Sequence, residues 1–589
     1  MRNRERHAID LVLVLAVAAI AVPVITVWLA GVLAGLLASG TPVTLSISGA
    51  LAVAVALPAH SANPAAAWPA AGRADLPGAL VLQITLALCA TGVLAALVGA
   101  SAVIARRLHR RQRDRAARFA SSDELSELHA AAAQAGRITL GEHDGRLIAA
   151  ERRASVLCVG PAQSGKTTGL IIPAVLEWQG PVVATSVKAD VVHETHRARR
   201  QLGEVLIFDP TGCTDLDHTP WSPIAAARTW EGARRTAANL LGVADQGATQ
   251  NNEETFWKPA GARYLAPLLL AAAHADRTMR DVLSWVSSMN QDEPTLLLKD
   301  CPNPGAQPGL EALQSVWAAD HRLRSSLMQT VATGLDAWQE PLIAKATAGE
   351  NQISAKRLLD SHNTLYLIAP AHEQRRLRGL FTALVADVTA AAFERSASTG
   401  QPIDPPLLLA LDEVANIAPL ANLDEIASTG PGQGVQLLTV VQNISQAADR
   451  WGRDRAETII ANHRARLFCS GIGDRATLEY LTHTLGEEEI SRIATHRENA
   501  LATGSRTYST EFRSLAAPHR IRQADTNTAL LVYGRLAPAW VALRPWYADE
   551  QLRQLVQNGA TTPPTPLAAR PLTAAGRVLR GASRRATTR

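Results

Sequence analysis

The sequence predicts an α/β protein whose core is a doubly wound parallel sheet, with a mostly helical insertion and two membrane-spanning helices ahead of it. Three observations predict this class. A glycine-rich phosphate-binding motif lies between a predicted strand and a predicted helix, short apolar runs alternate with helical segments, and two long apolar stretches without charge lie near the N-terminus. A chain of 589 residues is long enough for two or three domains.

The two apolar stretches, residues 11–37 and 79–105, each exceed the roughly 20 residues that a helix needs to cross a bilayer. Arginines precede the first stretch and follow the second, and the positive-inside rule then places both flanks in the cytoplasm. We therefore expect a plasma-membrane protein with a cytoplasmic N-terminus (1–10), a membrane anchor (11–105) and an extracytoplasmic connection (38–78). A cleaved signal peptide is the alternative for the first stretch, but its apolar run is too long and a second run follows.

Positive charge is concentrated at the edges of the expected cytoplasmic body. The net charge of +5 includes seven arginines against one acid in residues 106–118 and six arginines without an acid in 560–589, so the remaining chain is net negative. We interpret 106–120 as a basic juxtamembrane segment that fixes topology and contacts anionic headgroups. Residues 551–589, rich in proline and arginine, are expected to form a disordered basic tail. The five cysteines show no C-x-x-C spacing, so neither a zinc site nor a disulfide framework is indicated.

The most specific motif is GPAQSGKT, which fits the phosphate-binding pattern G-x-x-x-x-G-K-[ST]. Its glycines let successive backbone N–H groups turn toward a phosphate, and the N-terminus of the following helix adds its positive dipole end. Lys166 would reach the β- and γ-phosphates of ATP, and Thr167 would hold Mg²⁺ through its hydroxyl. The predicted nucleotide-binding residues are Gly160, Pro161, Ala162, Gln163, Ser164, Gly165, Lys166, Thr167 and Thr168.

The second half of the predicted site lies more than 200 residues further along the chain. The apolar run 407–411 predicts a central strand of a parallel sheet, and it ends in Asp412 and Glu413, where such sheets bind ligands. Asp412 would orient Mg²⁺ and Glu413 could polarise the attacking water. The run 435–441 predicts another strand, and Gln442 at its end would sense the γ-phosphate or position water, although a simple capping amide is the alternative.

Further apolar runs complete the predicted sheet, at residues 155–159, 182–184, 205–208, 364–368 and 467–470. The long alanine- and leucine-rich stretch between the two halves has few strand signals and predicts a helical insertion. We therefore expect a nucleotide-binding domain in two parts, 121–228 and 350–550, separated by an all-α insertion at 229–349.

Taken together, these segments resemble the TraG/TraD-type coupling proteins of type IV secretion and conjugation. The resemblance covers the whole architecture and is carried, in order, by GPAQSGKTTGLIIPAVLEW (160–178), SVKADVVHETHRARRQLGEVLIFDP (186–210), WSPI (221–224), FWKPAGARYLAPLLLA (256–271), NTLYLIAP (363–370), LLLALDEVANIAPLANLDEIAS (407–428), TVVQNISQAADRWG (439–452) and TIIANHRARLFCSGIGDRATLEYLTHTLGEEEI (458–490).

The resemblance implies a RecA-like P-loop ATPase fold with an inserted all-alpha domain that engages substrate, mounted on the membrane as a homo-hexameric ring. It also implies a motor that couples a relaxase–single-stranded DNA complex to the type IV secretion channel proteins and drives transfer by ATP hydrolysis. By position, Lys166 and Thr167 match the family's phosphate-loop pair, Asp412 and Glu413 match its metal-binding and water-activating acids, and Gln442 matches its sensing glutamine.

One segment departs from the family pattern. Many members carry a basic residue in the loop before the strand that ends in the sensing glutamine, and that residue has been viewed as a finger into the neighbouring site. Here the corresponding segment, STGPGQGV at 428–435, contains neither arginine nor lysine. Arg464 and Arg466 are the candidates for this role in the present chain.

Three other functions compete with a coupling protein. An FtsK-like double-stranded DNA translocase is also membrane-anchored, but the motifs around its phosphate loop differ and residues 550–589 are too short for its usual winged-helix module. A transporter ATPase is disfavoured because no LSGGQ-like signature occurs and two spans cannot form a solute pathway. A non-catalytic adaptor is disfavoured because Lys166, Asp412 and Glu413 are all intact.

Overall fold

The computed structural model describes residues 21–113, 117–242, 252–349, 351–496 and 505–558. The chain divides into two compact units, Met1–Ala116 and Ala117–Arg589, which are considered separately below. The predicted cytoplasmic N-terminus, the first half of the first apolar stretch and the tail beyond residue 558 lie outside the described residues.

The N-terminal unit contains two helices that are long and apolar enough to cross a membrane, α1 (Ala21–Ala38) and Ala79–Ala100 within a longer helix. Its elements are α1, α2 (Ile47–Ala56), α3 (Ala70–Arg73) and α4 (Ala79–Arg113), with 3₁₀ turns at Leu57–His60 and Pro64–Ala67. The connection between the two long helices is folded around Trp68, which is fully buried. The helices therefore share a small apolar core with the segment that joins them.

The second unit is built on a sheet of twelve strands, with a separate ribbon of two. In the sheet the spatial order is β1-β3-β2-β14-β13-β10-β4-β9-β8-β5-β7-β6, and the ribbon pairs β11 with β12. The strands are β1 (His129–Ala130), β2 (Thr139–His143), β3 (Arg146–Ala149), β4 (Val156–Val159), β5 (Val182–Ser186), β6 (Val205–Phe208), β7 (Thr364–Ile368), β8 (Leu407–Leu411), β9 (Val435–Val441), β10 (Ala465–Cys469), β11 (Glu487–His496), β12 (Ser505–Ser514), β13 (Thr528–Tyr533) and β14 (Ala539–Ala542).

Seven neighbouring strands, from β10 to β6, are parallel, and β13, β14, β2, β3 and β1 extend the sheet by antiparallel pairing. Every residue of β4, β5, β7, β8 and β9 is buried. Strands covered by helices on both faces need apolar side chains on both faces, which is why continuous apolar runs form this half. All seven apolar runs singled out in the sequence are strands of this parallel half.

Helices cover both faces of the sheet. Alternate residues of β4 show this directly, because Leu157 and Val159 belong to one apolar cluster while Val156 and Cys158 belong to the other. The helices are α5 (Ile172–Glu177), α6 (Asp190–Leu202), α7 (Pro223–Ala226), α8 (Trp230–Leu240), α9 (Asn252–His274), α10 (Met279–Ser287), α11 (Asp292–Lys299), α12 (Ala306–Trp317), α13 (His321–Gly334), α14 (Pro341–Ala346), α15 (Ala355–Leu359), α16 (Gln374–Thr399), α17 (Val414–Ile417), α18 (Leu423–Gln433), α19 (Ile444–Trp451), α20 (Arg453–Asn462), α21 (Arg475–Leu485), α22 (Pro518–Arg522) and α23 (Glu550–Asn558).

The inserted all-α domain lies within the segment between β6 and β7. Its described residues contain the helices α7 to α15 and no strand. The long helix α9 is central, and α8, α11, α12 and α13 pack against it. Apolar side chains of α9 from Tyr264 to Ala273 are buried almost without interruption, because neighbouring helices surround that part of it. An all-α insertion, as the sequence predicted, is therefore confirmed.

Two predicted irregular segments are helical instead. The segment 428–435, expected as a loop, belongs largely to α18, whose buried residues Leu423, Ile426 and Ala427 recur at helical spacing. Pro431 lies inside this helix and cannot donate to the carbonyl of Ala427. The hydroxyl of Ser155 donates to that carbonyl at 2.9 Å, so the proline leaves no unpaired group there.

The disordered tail is predicted to begin at residue 551, but residues 550–558 form the helix α23. The carboxylate of Asp549 accepts from the N–H groups of Gln551 and Leu552, which caps the helix at its N-terminus. The side chain of Leu552 is fully buried against the apolar cluster that also contains α5 and α6. Capping and burial together stabilise a helix that the proline- and arginine-rich composition around it does not indicate.

Candidate nucleotide-hydrolysis site

The phosphate-binding motif forms the turn between β4 and the helix after it. Gln163 and Gly165 have φ angles of +63° and +86°, so the backbone turns back on itself there. A Cβ atom on Gly160 would approach the side chains of Cys469 and Ser164 to 2.7 and 2.8 Å, so glycine is required at that position. The ammonium of Lys166 donates to the carbonyl of Pro161 at 2.6 Å and is 6% exposed. The lysine therefore lies inside the loop, where a phosphate would be bound.

The loop contacts the end of β8 through one hydrogen bond. The hydroxyl of Thr167 donates to Oδ2 of Asp412 at 2.7 Å. The carbonyl of Asp412 accepts from the hydroxyl of Thr185 on β5 at 2.8 Å, which fixes the backbone of the acid from the other side. Two residues that lie 245 positions apart in the sequence are thus neighbours at the carboxyl edge of the sheet.

The side chain of Asp412 is 5% exposed, and its second oxygen, Oδ1, has no hydrogen-bond partner. Burial raises the pKa of this carboxyl to about 6, and the negative charges of Glu413 and Asp190 act in the same direction against the opposing effects of Thr167 and Lys166. A buried, unpaired carboxylate oxygen beside a threonine hydroxyl fits Mg²⁺, which prefers hard oxygen ligands and one or two carboxylates together with phosphate oxygens.

Glu413 lies next to the buried acid but in a different environment. Its φ angle is +48°, an uncommon value for a residue with a side chain, and α17 begins directly after it. Its Oε1 accepts from Nε2 of Gln442 at 3.2 Å, and its Oε2 accepts from Nδ2 of Asn416 at 3.1 Å. Two amide donors therefore orient a carboxylate that remains partly accessible.

The amide of Gln442 follows β9, which lies between the strands that carry the phosphate loop and the acids. The next residue, Asn443, is the one that caps a helix, because its side chain accepts from the N–H of Gln446 at 2.8 Å. The side chain of Gln442 contacts Glu413 instead. The structure thus brings Lys166, Thr167, Asp412, Glu413 and Gln442 to the same edge of the sheet.

The two arginines considered for the neighbouring site lie elsewhere. Arg464 immediately precedes β10, at the opposite end of the parallel strands from the phosphate loop, where it pairs with Glu151 and lies over the ring of Tyr533. Arg466 lies on β10 and donates to the hydroxyl of Tyr480 at 2.9 Å. A role for either arginine in a neighbouring subunit stays a prediction.

The loop is also supported from the antiparallel side of the sheet, by residues that no sequence pattern indicated. Asn527 precedes β13, and a Cβ atom on Gly165 would lie 2.2 Å from its Oδ1, so the asparagine lies directly against the loop. Arg544, which follows β14, is buried and pairs with Glu177 and Asp549 at 2.7 and 3.0 Å. The apolar run 528–533 could have indicated the strand beside Asn527, but no local pattern relates it to the loop.

The cysteines Cys158 and Cys469 are buried and free. They lie on the adjacent strands β4 and β10, beneath the phosphate loop, with their Sγ atoms 3.5 Å apart.

Comparison with known protein families agrees with this geometry. A family model described as type IV secretory system conjugative DNA transfer matches residues 108–565. The protein VirD4 of Rhizobium radiobacter is 23% identical over 423 residues, which cover 70% of this chain and 60% of that protein. The conjugal transfer protein TraG of Escherichia coli is 23% identical over 442 residues, which cover 68% of each chain. The match thus spans about three-fifths of the length of VirD4.

Among solved structures, the bacterial conjugative coupling protein TrwB, in a form named ΔN70, superimposes with a TM-score of 0.56. The two are 19% identical, and the match covers 73% of this chain and 93% of that one. TrwB has also been solved with a non-hydrolysable ATP analogue, with a GTP analogue, and with ADP and Mg²⁺. The likeness identifies the fold as a RecA-like α/β domain with an inserted all-α domain.

Proposed function

The chain belongs to the family of type IV secretory system conjugative DNA transfer proteins, and on that premise we propose that it is an ATPase motor that drives transfer by ATP hydrolysis. Its substrate in this proposal is a relaxase–single-stranded DNA complex, which it couples to a type IV secretion channel. The observation that carries the proposal is the continuous set of contacts from Thr167 through Asp412 and Glu413 to Gln442 at one edge of the sheet.

The proposed roles follow from the environments of these side chains. The ammonium of Lys166, enclosed by the loop, stabilises the negative charge that spreads over the phosphate oxygens during transfer. Thr167 and Asp412 would hold Mg²⁺, which supplies charge neutralisation to the phosphates. Glu413 accepts a proton from the attacking water, and its two amide partners hold the carboxylate in place for this purpose. Gln442, which contacts Glu413, positions the same water or senses whether the γ-phosphate is present.

ATP and Mg²⁺ are proposed as substrate and cofactor on two grounds. The first is the fit of the loop and of Asp412 to a magnesium–phosphate complex. The second is TrwB, whose complexes contain nucleotide analogues, or ADP with Mg²⁺, on the same fold. The contacts proposed for the nucleotide are those of residues 160–168, the segment that encloses Lys166.

The proposal extends to assembly and location. We place the protein in the plasma membrane with two spans and with the second unit in the cytoplasm, which is supported by the two apolar helices and by the arginines that flank them. A homo-hexameric ring follows from the family resemblance. The boundaries 121–228, 229–349 and 350–550 for the two parts of the nucleotide-binding domain and the insertion are proposed with it.

The first test is ATP turnover by the full-length protein in lipid nanodiscs, compared between the unaltered chain and Lys166→Ala. We expect turnover to disappear in the variant, together with DNA transfer from donor cells, while membrane insertion is unchanged. Lys299→Ala is the matched control, because this lysine lies at the exposed end of α11, away from the loop. Unchanged turnover in Lys166→Ala would refute the assignment of the site.

The second test separates a coupling protein from a duplex translocase. We expect single-stranded DNA to stimulate ATP turnover more than blunt duplex of equal length. The turnover of Lys166→Ala, measured with each DNA, is the background. Stronger stimulation by the duplex would favour an FtsK-like translocase over the proposed function.

A further inference from the structure

A short segment after β14, residues 543–547, runs beside the first turn that follows the phosphate-binding loop. The N–H of Trp546 donates to the carbonyl of Thr168 at 3.0 Å, and the N–H of Arg544 donates to the carbonyl of Gly169 at 3.3 Å. A Cβ atom on Gly169 would come within 2.9 Å of this segment, so the two backbones approach as closely as glycine allows. The position of the segment is therefore tied to that of the loop.

The backbone of the first turn explains why this contact exists. Residues Thr167–Ile171 form a π turn, in which a carbonyl pairs with the N–H five positions later, as that of Thr167 does with the N–H of Ile172. For Thr168 that position is Pro173, which has no N–H. The carbonyl of Thr168 is therefore available, and Trp546 donates to it. Backbone hydrogen bonds, rather than mobile side chains, hold the segment beside the loop.

The order of the strands indicates which end of a nucleotide faces this segment. Asp412 and Glu413 follow β8, which is separated from the strand of the phosphate loop, β4, only by β9. The terminal phosphate of a bound nucleotide, which these acids and Lys166 would act on, would therefore lie toward β9 and β8. A nucleoside at the other end of the triphosphate would then extend toward β10, β13 and β14, where residues 543–547 lie.

Tyr547 presents an aromatic ring at this place. Its side chain is 51% exposed, whereas Leu543, Arg544 and Pro545 just before it are buried. The ring of Trp546 packs edge-on against it, with centroids 5.9 Å apart and planes at 80°. An edge-on neighbour restricts the tyrosine without covering both of its faces.

We infer that Tyr547 forms the nucleobase subsite of the nucleotide site and stacks against a purine ring. The inference rests on the proposed ATPase function and adds to it a specificity. Stacking depends on the area of the π-face and not on hydrogen bonds to the base edge. The subsite therefore favours purine over pyrimidine nucleoside triphosphates and distinguishes adenine from guanine only weakly.

The experiment measures dissociation constants of the full-length protein in nanodiscs for ATP, GTP, CTP, UTP and inorganic triphosphate, each with Mg²⁺. In Tyr547→Ala we expect the constants for ATP and GTP to rise about tenfold. Those for inorganic triphosphate, which has no base, should stay within about twofold, because the loop itself is untouched. Tyr547→Trp should bind purines as tightly as the unaltered chain.

Phe512→Ala is the control, because Phe512 is an aromatic residue of similar exposure, 64%, on the β11–β12 ribbon. It should leave every constant unchanged. Purine affinity that is unaltered in Tyr547→Ala overturns the inference, and so does an equal loss for purines and for inorganic triphosphate. If the unaltered chain binds no nucleoside triphosphate, the proposed function fails and the subsite fails with it. If the unaltered chain binds ATP and Tyr547→Ala leaves the dissociation constant for ATP unchanged, the subsite inference fails but the proposed function stands.

Discussion

The parallel and antiparallel halves of the sheet differ in what they contribute to the site. Strands β4, β9 and β8 of the parallel half end in the charged and polar groups that would act on phosphate. The antiparallel half, β13 and β14 with β2, β3 and β1, is flanked by residues that contact the phosphate loop or the turn after it, Asn527 before β13 and Arg544 after β14. The parallel half thus supplies the groups that would act on phosphate, and the antiparallel half supplies residues that support the loop.

The burial of the strands differs in the same way. The central parallel strands are buried along their whole length, whereas β2, β3 and β14 have residues that are half-buried or exposed. The antiparallel half therefore forms the margin of the sheet, and contact with it depends on a few specific residues. Changes in the parallel half should mainly alter catalysis, and changes in the antiparallel half should mainly alter stability and nucleotide binding.

The largest effect is expected in the parallel half, for Glu413→Gln. Loss of the base should lower the rate constant for ATP hydrolysis about 10³-fold, a change of about 4 kcal/mol in the barrier, while the dissociation constant for ATP stays nearly the same. Steady-state turnover and equilibrium binding measure the two quantities. Glu425→Gln, an exposed acid on α18, is the control. A weakened affinity without a change in rate would contradict the assigned role.

The second effect lies at the junction of the halves. Arg544 is buried and pairs with Glu177 on α5 and with Asp549, whose side chains are only 10% and 12% exposed, so Arg544→Met would leave two largely buried carboxylates without their cation. We expect the free energy of unfolding of the second unit to fall by about 3–4 kcal/mol. Denaturant midpoints followed by tryptophan fluorescence measure the change.

The control for this change is Arg513→Met on β12, where the ion pair with Glu488 is half exposed. A surface pair contributes about 0–1 kcal/mol, so its loss should shift the midpoint little. Equal shifts for the two arginines would show that the buried triad does not join the halves.

The smallest effect is expected in the pH dependence of the free energy of unfolding, at a histidine in the parallel half. His463 is fully buried between Thr439 of β9 and the carbonyl of Ile459, and burial lowers its pKa to about 4. Because the unfolded chain binds this proton near pH 6.5, the stability associated with neutral His463 is present above that pH. It is lost as the pH falls toward 4, by about 2–3 kcal/mol.

Replacement by glutamine, His463→Gln, keeps a neutral hydrogen-bonding side chain and removes the titration. Thermal unfolding between pH 4 and pH 7 should then depend less steeply on pH than in the unaltered chain. His372→Gln, at an exposed histidine, is the control and should leave the pH dependence as it was. An identical pH dependence for all three proteins would refute the assignment to His463.

The sequence was most informative where a local pattern corresponds to one structure. The apolar runs of the parallel half, the phosphate-binding motif and the all-α insertion were all predicted, since burial on both faces and a glycine-rich turn leave clear patterns. The short strands β1, β2, β3 and β14 were not, because a margin strand of two to five residues with mixed burial has no distinct pattern.

Two errors have a similar cause. The segment 428–435 contains a proline and three glycines, which usually indicate a loop, but a hydroxyl from Ser155 replaces the hydrogen bond that Pro431 cannot make. Residues 550–558 lie next to a polar, proline-rich stretch, but Leu552 is buried by helices that come from a distant part of the chain. In both cases a residue far away in sequence decided the local structure.

The sequence by itself determined the type of fold, the phosphate-binding loop and the identity of the acids at the strand ends, because each depends on neighbouring residues along the chain. Only the tertiary structure decided which groups meet. It placed Thr167 against Asp412, oriented Glu413 through Gln442, and set Asn527 and the segment 543–547 on the other side of the loop. The physical reason is that strand order and close packing, which bring these residues together, are properties of long-range contacts that no local pattern specifies.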